Sequence, residues 1–566
     1  MKQLLSKKYW WALLILVLVA VNWLAALFHF RIDLTAEKRY TLAPATKTLL
    51  KNLKEPVDIT VFLSGDMPAG FKKLANSSAE VLQEFKETGK GNIIYRFEKP
   101  AEGLNDTLKM QFIDSLQQLG LSPMNVKAQV KEGEGQEERY VYPGAVISYK
   151  GRITAVDFLQ GQSNVDGLNS LNNAEALLEY KLANTIQKIT QDSVPLIGYL
   201  LGNGEPFSYN VWDLIERTLK KTYSFSFLPI DSVKAIPPFF NAVVITKPTQ
   251  AFTDEQKLKL DQYVMQGGKI LWMIDNLYAE MDSLQRSQNE FIAFDRGLNL
   301  QDQLFKYGVR INQDLVQSLA SDKIPSVVGN MGGKPQIELL PWPYFPLLSN
   351  TSNHPIAKNL DYVVSQFPNS IDTVQANGIT KTILLNTASE ARSLNTPAKV
   401  SWNSIQTEDD LKTFNKPNIP VAVLLEGSFA SFFNNRLTTA MRDSLNSINT
   451  PFKAQSNPTK MIVIADGDIA LNSVSQTDGP LQMGMNPYTK YKYANNEFIA
   501  NCIEYLVGNS GILETRSKDF TLRLLDKKKL EESKTTWQVI AIAVPLLLVI
   551  IFGALYQWLR KRKYSK

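Results

Sequence analysis

One cysteine, Cys502, and two histidines, His29 and His354, are all that 566 residues offer of the usual soft ligands and proton shuttles. A lone thiol closes no internal disulfide and builds no CxxC pair or Cys-based zinc set. Two histidines, one of them abutting an apolar run, leave His-rich metal centres and His-based triads without material. The chain also lacks a phosphate-binding loop. Gly65-Asp-Met-Pro-Ala-Gly70-Phe-Lys72 has the glycines, but no Lys and Ser/Thr directly follow the second one, so the anchors for nucleotide phosphates and magnesium are missing. Gly202-Asn203-Gly204 supplies only three residues of the six-residue dinucleotide fingerprint. No repeat of fixed period occurs. These gaps lead to an expectation of no catalytic residue, no cofactor and no metal.

A basic face is missing too. Lys and Arg number 61 against 55 Asp and Glu, but eight of the bases lie in two short tails, 1–8 and 560–566. The remainder is slightly acidic, which argues against nucleic acid as a partner, since that requires a clustered basic patch on the folded domain.

Long apolar runs are present at both ends. Residues 9–28, YWWALLILVLVAVNWLAALF, and 537–559, WQVIAIAVPLLLVIIFGALYQWL, are each long enough to cross about 30 Å of hydrocarbon as a helix. Trp10, Trp11, Trp537, Tyr556 and Trp558 stand at their ends, where aromatic rings favour the lipid–water interface. Pro545 inside the second run removes one backbone donor and predicts a kink. A cleaved signal peptide is the competing reading of the first run, but "AALFHF" is a poor cleavage site and the apolar stretch exceeds the usual length. Lys7–Lys8 and the Arg560–Lys563 block touch their spans, whereas only Arg31 is as close on the loop side, with Lys38 and Arg39 further off. The positive-inside rule then places both termini in the cytoplasm and residues 31–536 outside it. The expected map is a tail over 1–8, a membrane span over 9–30, a stalk over 526–536, a second span over 537–559 and a tail over 560–566.

The loop between the spans reads as α/β throughout. In 31–160, a small N-terminal α/β domain, Val57, Ile59, Val61 and Leu63 alternate as a half-buried strand, and Leu74, Ser78, Val81, Leu82 and Phe85 recur at helical spacing. Gly89 and Gly91 stop that helix, Ile93–Phe97 is a second strand, and a hairpin turns at Lys150-Gly151. The polar stretch 161–172 reads as a linker, after which Asn172 or Asn173 caps a helix carrying Leu178, Leu182, Ile186 and Ile189. Residues 173–525 form the larger domain. Leu196–Leu201, Ala242–Thr246 and Lys269–Ile274 are short continuous apolar runs, the pattern of strands covered on both faces. Helical stretches separate them, one opened by a Thr253-Asp-Glu-Gln256 capping box. Such spacing predicts a doubly wound, mostly parallel sheet, with Val421–Leu425 and Lys460–Ala465 as later strands and an insertion around 320–410.

Ligands of such sheets sit beyond the carboxyl ends of strands. Asn203 and Glu205 come after Leu201, Asp275 after Ile274, and Asp466 and Asp468 after Ala465. If the strands adjoin, these five residues are candidate ligand contacts for a sugar, a peptide or an ion. Turn chemistry explains Gly, Asn and Asp at strand ends equally well. Trp342, Tyr344 and Phe345, set among prolines, are a candidate partner surface if exposed, or a loop packed over its own core.

Several stretches carry a resemblance. YTLAPATKTLLKNLKEPVDITVFLSGDMPAGFKKL (40–74), EYKLANTIQKIT (179–190), KLDQYVMQGGKILWMID (259–275), ELLPWPYFPLL (338–348) and ADGDIALNS (465–473), with the two terminal runs, resemble the GldG family of gliding-motility-associated ABC transporter components. The larger domain is similar to the auxiliary domain of uncharacterised ABC transport systems, related to a fold of ciliary transport proteins for which sugar binding has been suggested. Related auxiliary proteins carry His where Asn203 stands, which puts a ligand role of that turn in doubt. The resemblance implies a non-enzymatic subunit of the inner membrane, its large domain periplasmic, working with an ABC permease and a cytoplasmic ATPase. Membrane lipid and a cell-envelope glycan or peptide are the other expected contacts. A membrane-tethered carbohydrate-binding or glycan-processing protein and a purely structural scaffold are the competing functions.

Overall fold

The computed structural model describes residues 10–27, 41–65, 67–121, 123–129, 136–159, 167–287, 290–331, 333–402, 405, 407–508, 510–517 and 527–564. The N-terminal tail, the flank with Arg31, Lys38 and Arg39, residues 161–166 of the expected linker and Asp526 of the expected stalk lie outside the described residues. The chain divides into two compact units, Met1–Lys518 and Asp519–Lys566.

Among the described residues, the second unit is one helix, Lys527–Tyr564, with Pro545 inside it. Its stretch Thr536–Arg562 is, among the described residues, the one helix long and apolar enough to cross a membrane, and none of that stretch is buried. At about 1.5 Å per residue its 27 residues extend roughly 40 Å, more than the ~30 Å hydrocarbon layer requires. This is compatible with membrane association. In the first unit, the N-terminal apolar run is also helical, α1 (Trp10–Leu27).

After α2 (Pro44–Lys51), β1 (Val57–Val61), α3 (Ala69–Thr88) and β2 (Ile93–Phe97) form a strand–helix–strand unit with β1 and β2 parallel. Phe71, Leu74, Ser78, Leu82 and Phe85 are the buried stripe of α3, as their spacing requires. α4 (Asp106–Gln118) starts where Asn105 accepts the amide of Leu108. A hairpin of β3 (Met124–Gln129) and β4 (Gln136–Val141) leads to a second one, β5 (Gly144–Tyr149) and β6 (Arg152–Asp157), which joins the sheet in the order β2-β1-β5-β6. Lys150 and Gly151 turn it with φ of 49° and 76°, the left-handed pair a tight two-residue hairpin demands.

α5 (Gly167–Thr190) begins earlier than the Asn caps suggested. Asn172 and Asn173 lie inside it, because Leu171 and the Ala174–Leu178 face already pack, and packing outweighs the modest preference of Asn for a cap. Residues 167–172 of the expected linker are therefore helix. One apolar cluster runs from the N-terminal sheet through Leu178, Leu182 and Ile186 of α5 to Tyr199, Val244 and Leu271.

Those last residues belong to a seven-stranded sheet. Its members are β7 (Leu196–Leu201), β8 (Ser224–Pro229), β9 (Ala242–Thr246), β10 (Ile270–Met273), β11 (Ile379–Asn386), β12 (Pro420–Gly427) and β13 (Thr459–Ile464). They lie in the order β11-β12-β13-β10-β9-β7-β8. Neighbours from β13 to β8 pair parallel, and β11 and β12 close the other edge antiparallel. Alternate residues feed two cores. Val244, Leu271, Met273, Ile462 and Ile464 join the first cluster, while Val243, Ile245, Trp272, Met461 and Val463 join a second with α6 (Asp254–Met265). Both faces are covered, so Ala242–Ile245, Ile270–Met273 and Met461–Ile464 are apolar at every position. The capping box forms: Thr253 Oγ1 accepts from Gln256 N, and Gln256 Oε1 accepts from Thr253 N.

Between β10 and β11 the chain builds a smaller body with its own core. Its long hairpin, Ser321–Met331 and Lys334–Leu348, carries the Pro–aromatic segment as strand. Here the expectation of a partner surface is corrected. Trp342, Tyr344 and Phe345 are 3, 1 and 7% exposed, locked among Phe367, Trp402 and one another with ring centroids 5.0–5.8 Å apart. Burying such rings is worth roughly 2–3 kcal/mol each, more than a loop could recover by displaying them. The prolines are tolerated because this is not a central strand of a large sheet: Pro341 and Pro346 face Lys323 and Ser321 across an irregular register.

Candidate acidic cleft at the strand ends

β10 lies between β9 and β13, with Met273 opposite both Thr246 and Ile464. The residues just beyond these three strands must therefore meet at one edge of the sheet. Lys247 comes immediately after β9, Asp275 two residues beyond Met273, and Asp466 two beyond Ile464. Asp275, Asp466 and Asp468 each place an oxygen within 4.8 Å of the others.

A lysine amine pairs with two of these three aspartates. Lys247 Nζ lies 2.5 Å from Asp468 Oδ1, 3.0 Å from Glu280 Oε2 and 3.4 Å from Asp275 Oδ2. Arg296 bonds Glu280 and stands 3.8 Å from Asp275 Oδ2. Asp466 is fully buried. It accepts from Ser365 Oγ, from Gln366 N at 2.9 Å and from Asp468 N at 2.7 Å. Asp275 Oδ1 accepts from Gly467 N at 2.5 Å, while its Oδ2 is buried with no hydrogen-bond donor. Gly467 is a steric requirement: a Cβ there would fall 2.6 Å from Lys247 Cβ and 2.9 Å from its Cα. Lys247 itself has φ of 44°, a strained turn that aims its side chain into the acids.

Four carboxylates thus face two cations, and proton affinities respond. Burial, then the charge of Asp275, pushes the Asp466 carboxyl up to about 7. Burial also raises Asp468 well above the carboxylate range, against the pull of Lys247. For Lys247 burial works to lower the pKa, but Asp468, Asp275 and Glu280 together outweigh it and hold the amine charged. With Lys247 Nζ on Asp275 and Asp468, two of the three aspartates are already paired with a cation. Ser365, bonded to Asp466 and fully buried, is out of reach as a nucleophile.

Asn203 and Glu205 are buried in a neighbouring network. Glu205 Oε2 accepts from Asn203 N at 2.8 Å; Asn203 Nδ2 donates to Gln256 Oε1 at 2.9 Å, and Gln256 Nε2 donates to Asp231 at 2.8 Å. Burial raises the Glu205 carboxyl. Among the described residues no hydrogen bond or ion pair joins this turn to the aspartate cluster. Gly204 has no room for a side chain, since a Cβ would meet Thr249 Oγ1 at 2.1 Å.

The sheet edge opens into two adjoining cavities. One of about 300 Å³ is lined by Gly204, Lys247, Thr249, Glu280 and Asp468, among others; one of about 410 Å³ by Asp322, Phe345, Trp402, Asn486 and again Asp468. Sequence reasoning misses Lys247, Glu280, Arg296, Ser365 and Gln366. The only signal is a lysine directly after the apolar run Ala242–Thr246, where the other strand ends carry Gly, Asn or Asp.

Comparison with known proteins bears on these parts separately. The family model described as "ABC-type uncharacterized transport system" matches residues 195–502, which include the sheet and every residue of the cleft. One described as a domain of unknown function (DUF7088) matches 36–148. An uncharacterized protein of Borreliella burgdorferi is 21% identical over 547 residues, 94% of each chain. Among solved structures, the mmIFT52 N-terminal domain is 14% identical with a TM-score of 0.30, covering 56% of this chain and 98% of its own. The exo-beta-1,4-mannosidase Op5Man5 from Opitutaceae bacterium strain TAV5 is 10% identical with a TM-score of 0.18, over 72% of this chain and 47% of its own. At such TM-scores neither likeness carries an argument.

Proposed function

Since this chain belongs to the ABC-type uncharacterized transport system family, we propose that it is a membrane-anchored, non-catalytic subunit of an ABC transporter complex associated with gliding motility, working beside a permease and an ATPase. The observation that carries this reading is the union, in one polypeptide, of the family's domain with a 27-residue apolar helix. In this reading α1 is a second membrane anchor, both termini are cytoplasmic and the body between them stands in the periplasm, as the basic flanks favour. The strand order supports a doubly wound description. The chain leaves β7 toward β8 on one side and returns to β9 on the other, and the crevice at such a switch point is where open α/β sheets take ligands. The Lys247-centred ion cluster supports a non-catalytic role, because most of its carboxylate oxygens are engaged with Lys247, Arg296, Ser365 and backbone amides.

Affinity purification of the full-length chain in mild detergent tests the proposal. A polytopic permease and a nucleotide-hydrolysing subunit are expected to co-purify, with ATPase activity in the complex and none in this chain alone. Recovery of the chain free of both, or ATP hydrolysis by the isolated chain, would refute it.

A further inference from the structure

The two strand-end cavities share Asn210, Met281, Gln366, Asp468 and Leu471, so they make one cleft with two chambers. Its combined size suits a small ligand, and its charged lining is mainly acidic, Asp322, Asp468, Glu280 and Asp282 against Lys247 and Lys323. Three of its six side-chain amides are committed to the protein. Asn472 donates to Tyr209 O and accepts from Asp213 N, Asn486 donates to Asp322 and to Lys323 O, and Asn495 bonds Val364 in both directions. Asp468 differs: Oδ1 is on Lys247, while Oδ2 has no hydrogen bond among the described residues, and its side chain lines both chambers. Beneath it four carboxyl groups face two cations, and Asp275 Oδ2, in a residue 4% exposed, has Lys247 at 3.4 Å and Arg296 at 3.8 Å. Phe345 and Trp402 form an aromatic side of the larger chamber, with Trp402 backed by Trp342 at 5.5 Å.

We propose that this cleft binds a ligand through an alkylammonium group, seated on Asp468 and flanked by the rings of Phe345 and Trp402. An ionised carboxylate only accepts hydrogen bonds, and an ammonium only donates them. Aromatic faces attract the same charge. Bound there, the ammonium would favour the ionised form of Asp468, which burial alone disfavours. An anionic ligand would meet Asp468, which lines both chambers, with Lys323 the one cation lining the larger chamber. The inference deepens the transport-subunit reading by naming a ligand class. It can fail separately, because the absence of amine binding would leave co-purification of partners untouched.

Calorimetric titration of the full-length chain in detergent at pH 7.5 decides it, with cadaverine and the tripeptide Gly-Lys-Gly as probes and acetate, glucose and a glucose oligomer as controls. Saturable binding of at least one amine is expected, weakened about tenfold or more by Asp468→Asn and by Trp402→Ala. Trp402→Ala leaves the Lys247 ion pairs in place, so it remains informative if the Asp468 variant misfolds. Preference for cadaverine points to a free amine and preference for the tripeptide to a lysine side chain, either supporting the proposal. No saturable binding of either amine, binding unmoved by Trp402→Ala, or tighter binding of acetate or a glucose compound overturns it.

Discussion

Replacing Lys247 by methionine keeps most of the apolar stem and removes one charge from the centre of the strand-end cluster. The side chain is 8% exposed, and its ammonium contacts three carboxylates at 2.5–3.4 Å. Its loss leaves Arg296 as the only cation facing Asp275, Glu280, Asp466 and Asp468 among the described residues. Removing one partner of a buried ion pair costs about 3–5 kcal/mol, because the remaining charge stays desolvated. Domains are stable by only about 5–15 kcal/mol. The expected drop in melting temperature is on the order of 5–10 °C, read by circular dichroism on the full-length chain at pH 7.5. The deficit should narrow at pH 5, where the raised carboxyls of Asp466 and Asp468 hold their protons. Adding Asp468→Asn should recover part of the loss, with a coupling of about 1–3 kcal/mol. In Lys247→Ala the vacated space is open, and Mn2+ should raise the melting temperature of this variant but not of the parent chain. A Lys247→Met chain melting within about 1 °C of the parent, or strictly additive losses in the double variant, would show that the amine does not organise the cluster.

Two other perturbations probe the same edge. Gly467→Ala puts a methyl 2.9 Å from the Cα of Lys247, a backbone neighbour that cannot swing aside; a loss of about 1–3 kcal/mol in urea unfolding is expected, and unchanged stability would mean that the strand ends are not packed this closely. Asp466 gives a pH signature. Its folded pKa of about 7 lies above the unfolded value near 3.8, so between those values the native state keeps a proton that the unfolded chain has lost. Its contribution therefore falls as pH rises through that window, by roughly 1.4 kcal/mol per unit, and is constant above it. Urea midpoints of the parent and Asp466→Asn at pH 5, 6, 7 and 8 should diverge with that slope; parallel profiles would contradict it.

The parts of the site differ in how far they are legible in the sequence. Asp275, Asp466 and Asp468 are legible because each comes just after an apolar run of strand length, and in an α/β chain the residues beyond such runs gather at one edge. Lys247 succeeds the same kind of run, yet a lysine at a strand end resembles any solvated charge. Glu280, Arg296, Ser365 and Gln366 are hidden from this kind of reading. They reach the cluster from the body between β10 and β11, whose register depends on long-range pairing. The aromatic segment around Trp342 shows the converse: its composition suited an interface or a core equally, and only the rings stacked about it chose the core.

Local pattern by itself determined the alternation of strands and helices, the capping box at Thr253, the apolar helix at the carboxyl end and the three aspartates at strand ends. Each of these depends on residues within a turn or two of one another. Tertiary structure alone decided that a lysine ammonium would pair with two of those aspartates, that Asn203 and Glu205 would belong to another network, and that Asp468 would border a cleft. Proton affinity and ligand choice depend on burial and on charges brought from more than a hundred residues away, and no local pattern encodes either.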